Sequence, residues 1–128
     1  MSVSGKMSKQ AFDKVVERAI RRIPEEIRAH LNNMSITVRD RPPPELLEEM
    51  GMHPDDLLLG FYDGVPLPDR SVLEPPLYPD VIVLFQEDLE AVCETREEME
   101  REIEITVVHE VAHFLGMDEE RLAELGYA

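Results

Sequence analysis

The stretch from Thr95 to Gly116 limits this chain more than any other. Thr95 followed three residues later by Glu98 is a capping box, which satisfies amides left unpaired where a helix begins. Gly116 falls where a helix in this phase would end, because glycine takes the left-handed conformation that closes a last turn. The stretch therefore predicts one long helix, from Thr95 to Leu115, around which a small chain must organise its core.

Taking about 100° per residue with Ile105 at zero, the apolar side chains Ile105, Val107, Val108, Val111, Ala112, Phe114 and Leu115 fill the half-turn from about 180° to 360°. Thr106, His109, Glu110 and His113 fall together between about 40° and 140° on the same scale. Histidines four apart on a helix sit about 40° from each other and roughly 6 Å along the axis, so both imidazoles can reach one metal ion. Glu110 lies between them, close enough to take a proton from a water at that metal. Zinc suits such a pair because it accepts neutral imidazole nitrogens and keeps a position open. The competing reading is an accidental pair of histidines on a solvated face, but such a face more commonly carries Lys and Glu.

The chain has 128 residues, which predicts one domain over 1–128, with residues 1–7 a flexible lead. It can bury about two-thirds of its unfolded surface, enough for one core without staples. A single cysteine, Cys93, excludes an intrachain disulfide framework and is expected to be a buried thiol rather than a reactive one. No apolar run approaches the length of a membrane span. The polar N-terminus lacks the apolar segment of a secretory signal, so a cytoplasmic location is expected. A net charge of −15 disfavours nucleic acid and anionic membranes as partners, and suits a divalent cation.

The remaining elements follow from local pattern. Ser8 is a candidate N-cap for a helix whose apolar positions are Ala11, Phe12, Val15, Val16, Ala19, Ile20 and Ile23. Glu25 to Leu31 reads as a short helix after Pro24, and Ser35 to Arg39 as a strand. Glu45 to Met50 reads as one or two helical turns stopped by Gly51. Leu57 to Tyr62 is a strand running into the Asp63-Gly64 turn. Val65 to Tyr78 is a proline-rich loop, long enough to be a candidate substrate-side loop. Asp80 to Phe85 is a largely buried strand that could offer an edge to an extended peptide. Glu87 to Cys93 and Asp118 to Leu125 complete the helices.

A catalytic zinc usually has three protein ligands, and the helix supplies two. Gly116 lets the chain turn sharply, so a residue just beyond it can fold back. At this point the chain resembles the zincins of pattern H-E-x-x-H-x-x-G-x-x-(His or Asp), matched by His109, Glu110, His113 and Gly116. The family's third ligand falls on Glu119 here, a departure, with Asp118 one residue earlier. Asp118 is equally a natural N-cap for the helix that follows, and Glu119 in its first turn is accounted for by the helix dipole. His30 and His53 are remote candidates and read more simply as ordinary surface or loop histidines.

The length, the segment from Gly60 to Leu67 and the ending from Arg121 to Tyr127 are similar to those of small bacterial zincin-like zinc metallopeptidases. The resemblance spans about residues 10–127. It implies an α+β minimal zincin-like fold, with three to four strands packed on an N-terminal helix and the central H-E-x-x-H helix. It also implies one zinc per chain on His109, His113 and either Asp118 or Glu119, and Glu110 as general base toward a peptide or protein substrate. Tyr127 could steady an oxyanion, though terminal packing explains it as well. Little chain follows the motif, so a partner protein could be needed to complete a cleft. The alternative is an inactive zincin-like scaffold or metal-binding interaction protein. Metal-dependent RNA hydrolysis is disfavoured by the charge.

Overall fold

The first helix forms as its spacing requires. α1 (Lys9–Arg22) starts at Ser8, whose side chain accepts from the Ala11 amide, and it buries Phe12, Val15, Val16 and Ala19 on one face. The computed structural model describes residues 7–64 and 80–127. The loop from Val65 to Tyr78 lies outside those residues. Met7 is tied down, its amide donating to Glu90 and its carbonyl accepting from Gln86.

After Pro24 come α2 (Glu25–Arg28) and a tight 3-10 turn (Ala29–Asn33), which leads directly into β1 (Met34–Arg39). α3 (Pro44–Glu49) is short, and the left-handed Gly51 follows it. β2 (Gly60–Asp63) is shorter than the run Leu57 to Tyr62 predicts. Leu58 instead donates its amide to the buried carboxylate of Asp88. β3 (Asp80–Phe85) runs without a break into α4 (Gln86–Val92), and α5 (Arg96–Leu115) and α6 (Glu119–Glu124) finish the described chain.

The described residues form one three-stranded sheet of order β1-β3-β2. β1 runs parallel to β3, with Met34 opposite Asp80 and Arg39 opposite Phe85. β2 runs antiparallel to it, with Gly60 opposite Leu84 and Asp63 opposite Val81. The expectation that Val81–Phe85 offers a free edge is therefore corrected: this strand is paired on both sides. Its composition fits a centre, since Ile82, Leu84 and Phe85 are buried and no proline interrupts the ladder. Among the described residues the edges are β1 and β2.

α5 packs against both α1 and the sheet, chiefly β2, and these contacts set its surface. Thr106 sits in the sector that the helical wheel leaves polar, yet it is buried. The reason is Gly60: a Cβ there would stand 2.5 Å from Thr106 Cγ2, so the missing side chain lets β2 close onto the helix. Cys93 is a buried free thiol, pushed up to about 11 by burial and by Glu102 and Glu98. The architecture is α+β, with α1 and α5 packed together beside a small sheet, as the resemblance implies.

Candidate functional site

The last two turns of α5 hold His109, Glu110 and His113. Val108, Val111 and Ala112 are buried and fix the rotation of the helix. That rotation leaves His109 and His113 exposed and Glu110 half-buried. Gly116 ends the helix with φ of 69°, and Met117 donates back to the Ala112 carbonyl at 2.9 Å. The chain thus turns sharply just past the motif, as the glycine predicts.

Contacts show what lies beside each side chain. The Tyr62 backbone amide donates to the Glu110 carboxylate. Burial pushes the Glu110 carboxyl above its ordinary range; His113, the Tyr62 amide and His109 pull it partly back. A raised carboxyl is a better proton acceptor than a free surface glutamate, which is what a general base requires. The Tyr62 ring meets the His113 ring edge-on, with centroids 5.8 Å apart.

His109 differs from its partner. Its Nε2 lies 2.6 Å from the Tyr127 carbonyl oxygen. A nitrogen that donates to a carbonyl has no lone pair left for a cation. While the contact lasts His109 can bind a metal only through Nδ1; binding through Nε2 requires its release.

The other sequence candidates fall as follows. Asp118 caps α6, its Oδ1 accepting from the Arg121 amide at 2.9 Å. Glu119 is exposed in the first turn of that helix. His53 sits in a local turn, its ring nitrogen accepting from the Asp55 amide. His30 is closer to the motif than its place in the chain suggests, since its ring meets Phe114 with centroids 6.4 Å apart. Two imidazoles one turn apart with a carboxylate between them suit zinc in kind. Among the described residues no three His, Cys, Asp or Glu side chains group closely enough to hold a metal ion. The fit therefore rests on His109 and His113 as two ligands.

Sequence reasoning gave no role to Tyr62, Asp80 or Glu104. Tyr62 was visible as an aromatic residue in a short strand ahead of a turn and within the segment from Gly60 to Leu67 that carries the resemblance, and its phenol donates to buried Asp80 at 2.7 Å. Glu104 was one more acidic residue in an acidic run, yet it is buried and pairs with Arg22 Nε at 2.9 Å. It also accepts from the Tyr127 hydroxyl at 2.6 Å, which gives Tyr127 the packing role. Burial and that bond to Glu104 push the Tyr127 phenol up to about 12.

Among the described residues no helix is long and apolar enough to cross a membrane. No curated protein matches the chain. The model of the zincin-like metallopeptidase family matches residues 31–127, a span that takes in all three strands, the His109, Glu110 and His113 face of α5, and Tyr127, and the chain belongs to that family.

Proposed function

We propose that this chain is a zinc-dependent peptidase in which His109 and His113 hold the metal and Glu110 is the general base. The observation that carries the reading is the setting of Glu110. It is half-buried, held by the Tyr62 amide, and flanked along the helix by two exposed imidazoles. Zinc, when bound, would lower the pKa of a coordinated water to near 7 and polarise the scissile carbonyl. Glu110 would take a proton from the attacking water on its carboxylate and return it to the leaving amine. β2 is the sheet edge that packs against α5, so an extended peptide added there would run its main chain past Glu110. Glu119 stands at the family position for a further ligand, and Asp118, one residue earlier, is the other candidate. The acidic chain favours protein or peptide over nucleic acid as substrate.

The test is elemental mass spectrometry on untagged protein purified without chelator, with His109→Ala alongside. A peptide-library cleavage assay on the parent and Glu110→Gln follows. The expected result is one zinc per chain, lost in His109→Ala, with cleavage by the parent alone. Cleavage by Glu110→Gln at the parent's rate would remove Glu110 as the base.

One observation favours a second reading, a zincin-like scaffold that works by interaction. His109 Nε2 already faces the Tyr127 carbonyl, and no third side-chain ligand is grouped with the two histidines among the described residues. A parent that takes up no zinc even when zinc is supplied would favour the scaffold, and a partner protein that completes the cleft would then be sought.

A further inference from the structure

Three separate contacts converge on one residue of β2. Tyr62 is 4 % exposed, and its backbone is fixed by pairing with β3 opposite Ile82. Its amide donates to the Glu110 carboxylate. Its ring lies edge-on to His113 at 5.8 Å and 74°, and to Phe114 at 5.7 Å and 66°. Its hydroxyl, at the far end of the ring, donates to Asp80 Oδ1 at 2.7 Å. The ring is therefore held at both ends, by the sheet at Cα and by Asp80 at the hydroxyl.

We propose that Tyr62 is the positioning residue of this site, fixing Glu110 through its main-chain amide and His113 through its ring, with Asp80 as the anchor of the phenol. Glu110 and His113 are three apart on α5, and each side chain has several rotamers when free. One rigid residue that touches both sets the spacing between the carboxylate and the imidazole. Such fixing matters because groups that orient a metal ligand govern its affinity. The phenol proton is committed to Asp80, so Tyr62 acts through its neighbours and not on a substrate. The inference rests on reading Glu110 and His113 as the site, and it is tested on the metal-free protein first so that the two can fail separately.

The experiment compares the parent with Tyr62→Phe, Tyr62→Leu and a control, Val15→Ala, which removes buried volume from α1, an element that makes none of these contacts. Side-chain NMR of the metal-free proteins reports the His113 ring protons, which the Tyr62 ring shifts. Competition against a chromophoric chelator reports zinc affinity, and thermal unfolding reports stability. The Phe variant keeps the ring against His113 but loses the Asp80 anchor, so its His113 shifts and zinc affinity fall between those of the parent and the Leu variant. The Leu variant moves the shifts and loses about 10- to 100-fold in zinc affinity. The control loses stability and keeps both.

A purely structural Tyr62 would give a Leu variant that is less stable, with His113 shifts and zinc affinity unchanged, and that result overturns the proposal. So does a Phe variant as weak for zinc as the Leu variant. Should Tyr62→Leu fail to fold, cross-relaxation between the Tyr62 and His113 ring protons in the parent decides, since its absence refutes the contact. A parent that binds no zinc sinks the proposed function, while the His113 shifts still judge the positioning.

Discussion

The two flanks of α5 treat a carboxylate withdrawn from solvent in opposite ways. On the α1 flank Glu104 meets a guanidinium, Arg22 at 2.9 Å, and a phenol, Tyr127 at 2.6 Å. On the β2 flank Glu110 meets a single backbone amide and two imidazoles of its own helix. A carboxylate paired with arginine and a hydroxyl is held as a structural anion, because removing its proton-free form would strand its partners. A carboxylate held by one amide, with burial raising its proton affinity, keeps its capacity to accept a proton. Withdrawal from solvent alone thus does not separate the two carboxylates; the identity of their partners does.

Exchanging each carboxylate for its amide breaks this comparison most sharply. On the proposed function, Glu110→Gln should keep the fold and metal content and lower peptide turnover about 10²- to 10⁴-fold, the range of a lost general base. Glu104→Gln does the reverse. It costs about 2 kcal/mol, because bonds to a charged group are weakened, while the chemistry at Glu110 continues. Denaturant melts and turnover on the same four-way set, parent, each single and the double, check both. If Glu104→Gln abolished turnover in a fully folded protein, the division between flanks would be wrong.

Gly60 offers a finer cut, since it governs how closely β2 approaches α5. Gly60→Ala places a methyl 2.5 Å from Thr106 Cγ2 and 3.2 Å from the Val83 carbonyl. Overpacking of this kind costs about 1–3 kcal/mol. It pushes β2, and with it Tyr62, off the site, so turnover falls together with stability. Thr106→Ser removes the clashing methyl and should recover part of both in the double variant. Calorimetry on the singles and the double shows the coupling, and strict additivity would mean that the contact does not limit the approach of β2.

How much of this was legible in the sequence depends on the distance over which the signal acts. The limits of α5 were legible because they are local: Thr95 accepts from the Glu98 amide at 3.1 Å, Glu98 accepts from the Glu94 amide at 2.9 Å, and Gly116 closes the far end. The exposure of His109 and His113 followed from the helical period alone. The place of β3 at the centre did not, because strand order is set by pairing of residues 80–85 with 34–39 and 60–63, far apart in the chain. Thr106 was misplaced on the polar sector for the same reason, since a glycine in another strand buries it. Tyr62 and the Tyr127 carbonyl reach the motif from 48 and 18 residues away, measured between Tyr62 and Glu110 and between Tyr127 and His109. No periodicity encodes such contacts.

Tyr127 gives the α1 flank its own pH signature. Its phenol has an ordinary value of 10.0 and is pushed up to about 12 in the fold, so the folded state holds this proton more tightly than the unfolded chain. The associated stability is fully present below pH 10 and is lost as pH rises through about 12. Tyr127→Phe has no such proton to lose. Its neutral-pH stability falls by about 1 kcal/mol for the missing bond, and its alkaline decline is shallower than the parent's. Cys93, with a folded value near 11, adds a decline common to both proteins, which cancels in the difference. Parallel alkaline curves for parent and variant would show that the Glu104 bond does not hold the phenol.

The smallest effect separates the two roles open to Asp118, just beyond both flanks. As the cap of α6 it needs only an acceptor oxygen for the Arg121 amide, which asparagine supplies equally well. Asp118→Ala should therefore cost about 1 kcal/mol and Asp118→Asn almost nothing. A metal ligand behaves differently, because neutral amide oxygen is a far weaker zinc donor than carboxylate. The capping role predicts equal zinc content in both variants and a lower melting temperature in the alanine variant alone. Loss of zinc from both variants, with Asp118→Asn as stable as the parent, would instead make Asp118 the third ligand and require its carboxylate to leave the cap when metal binds.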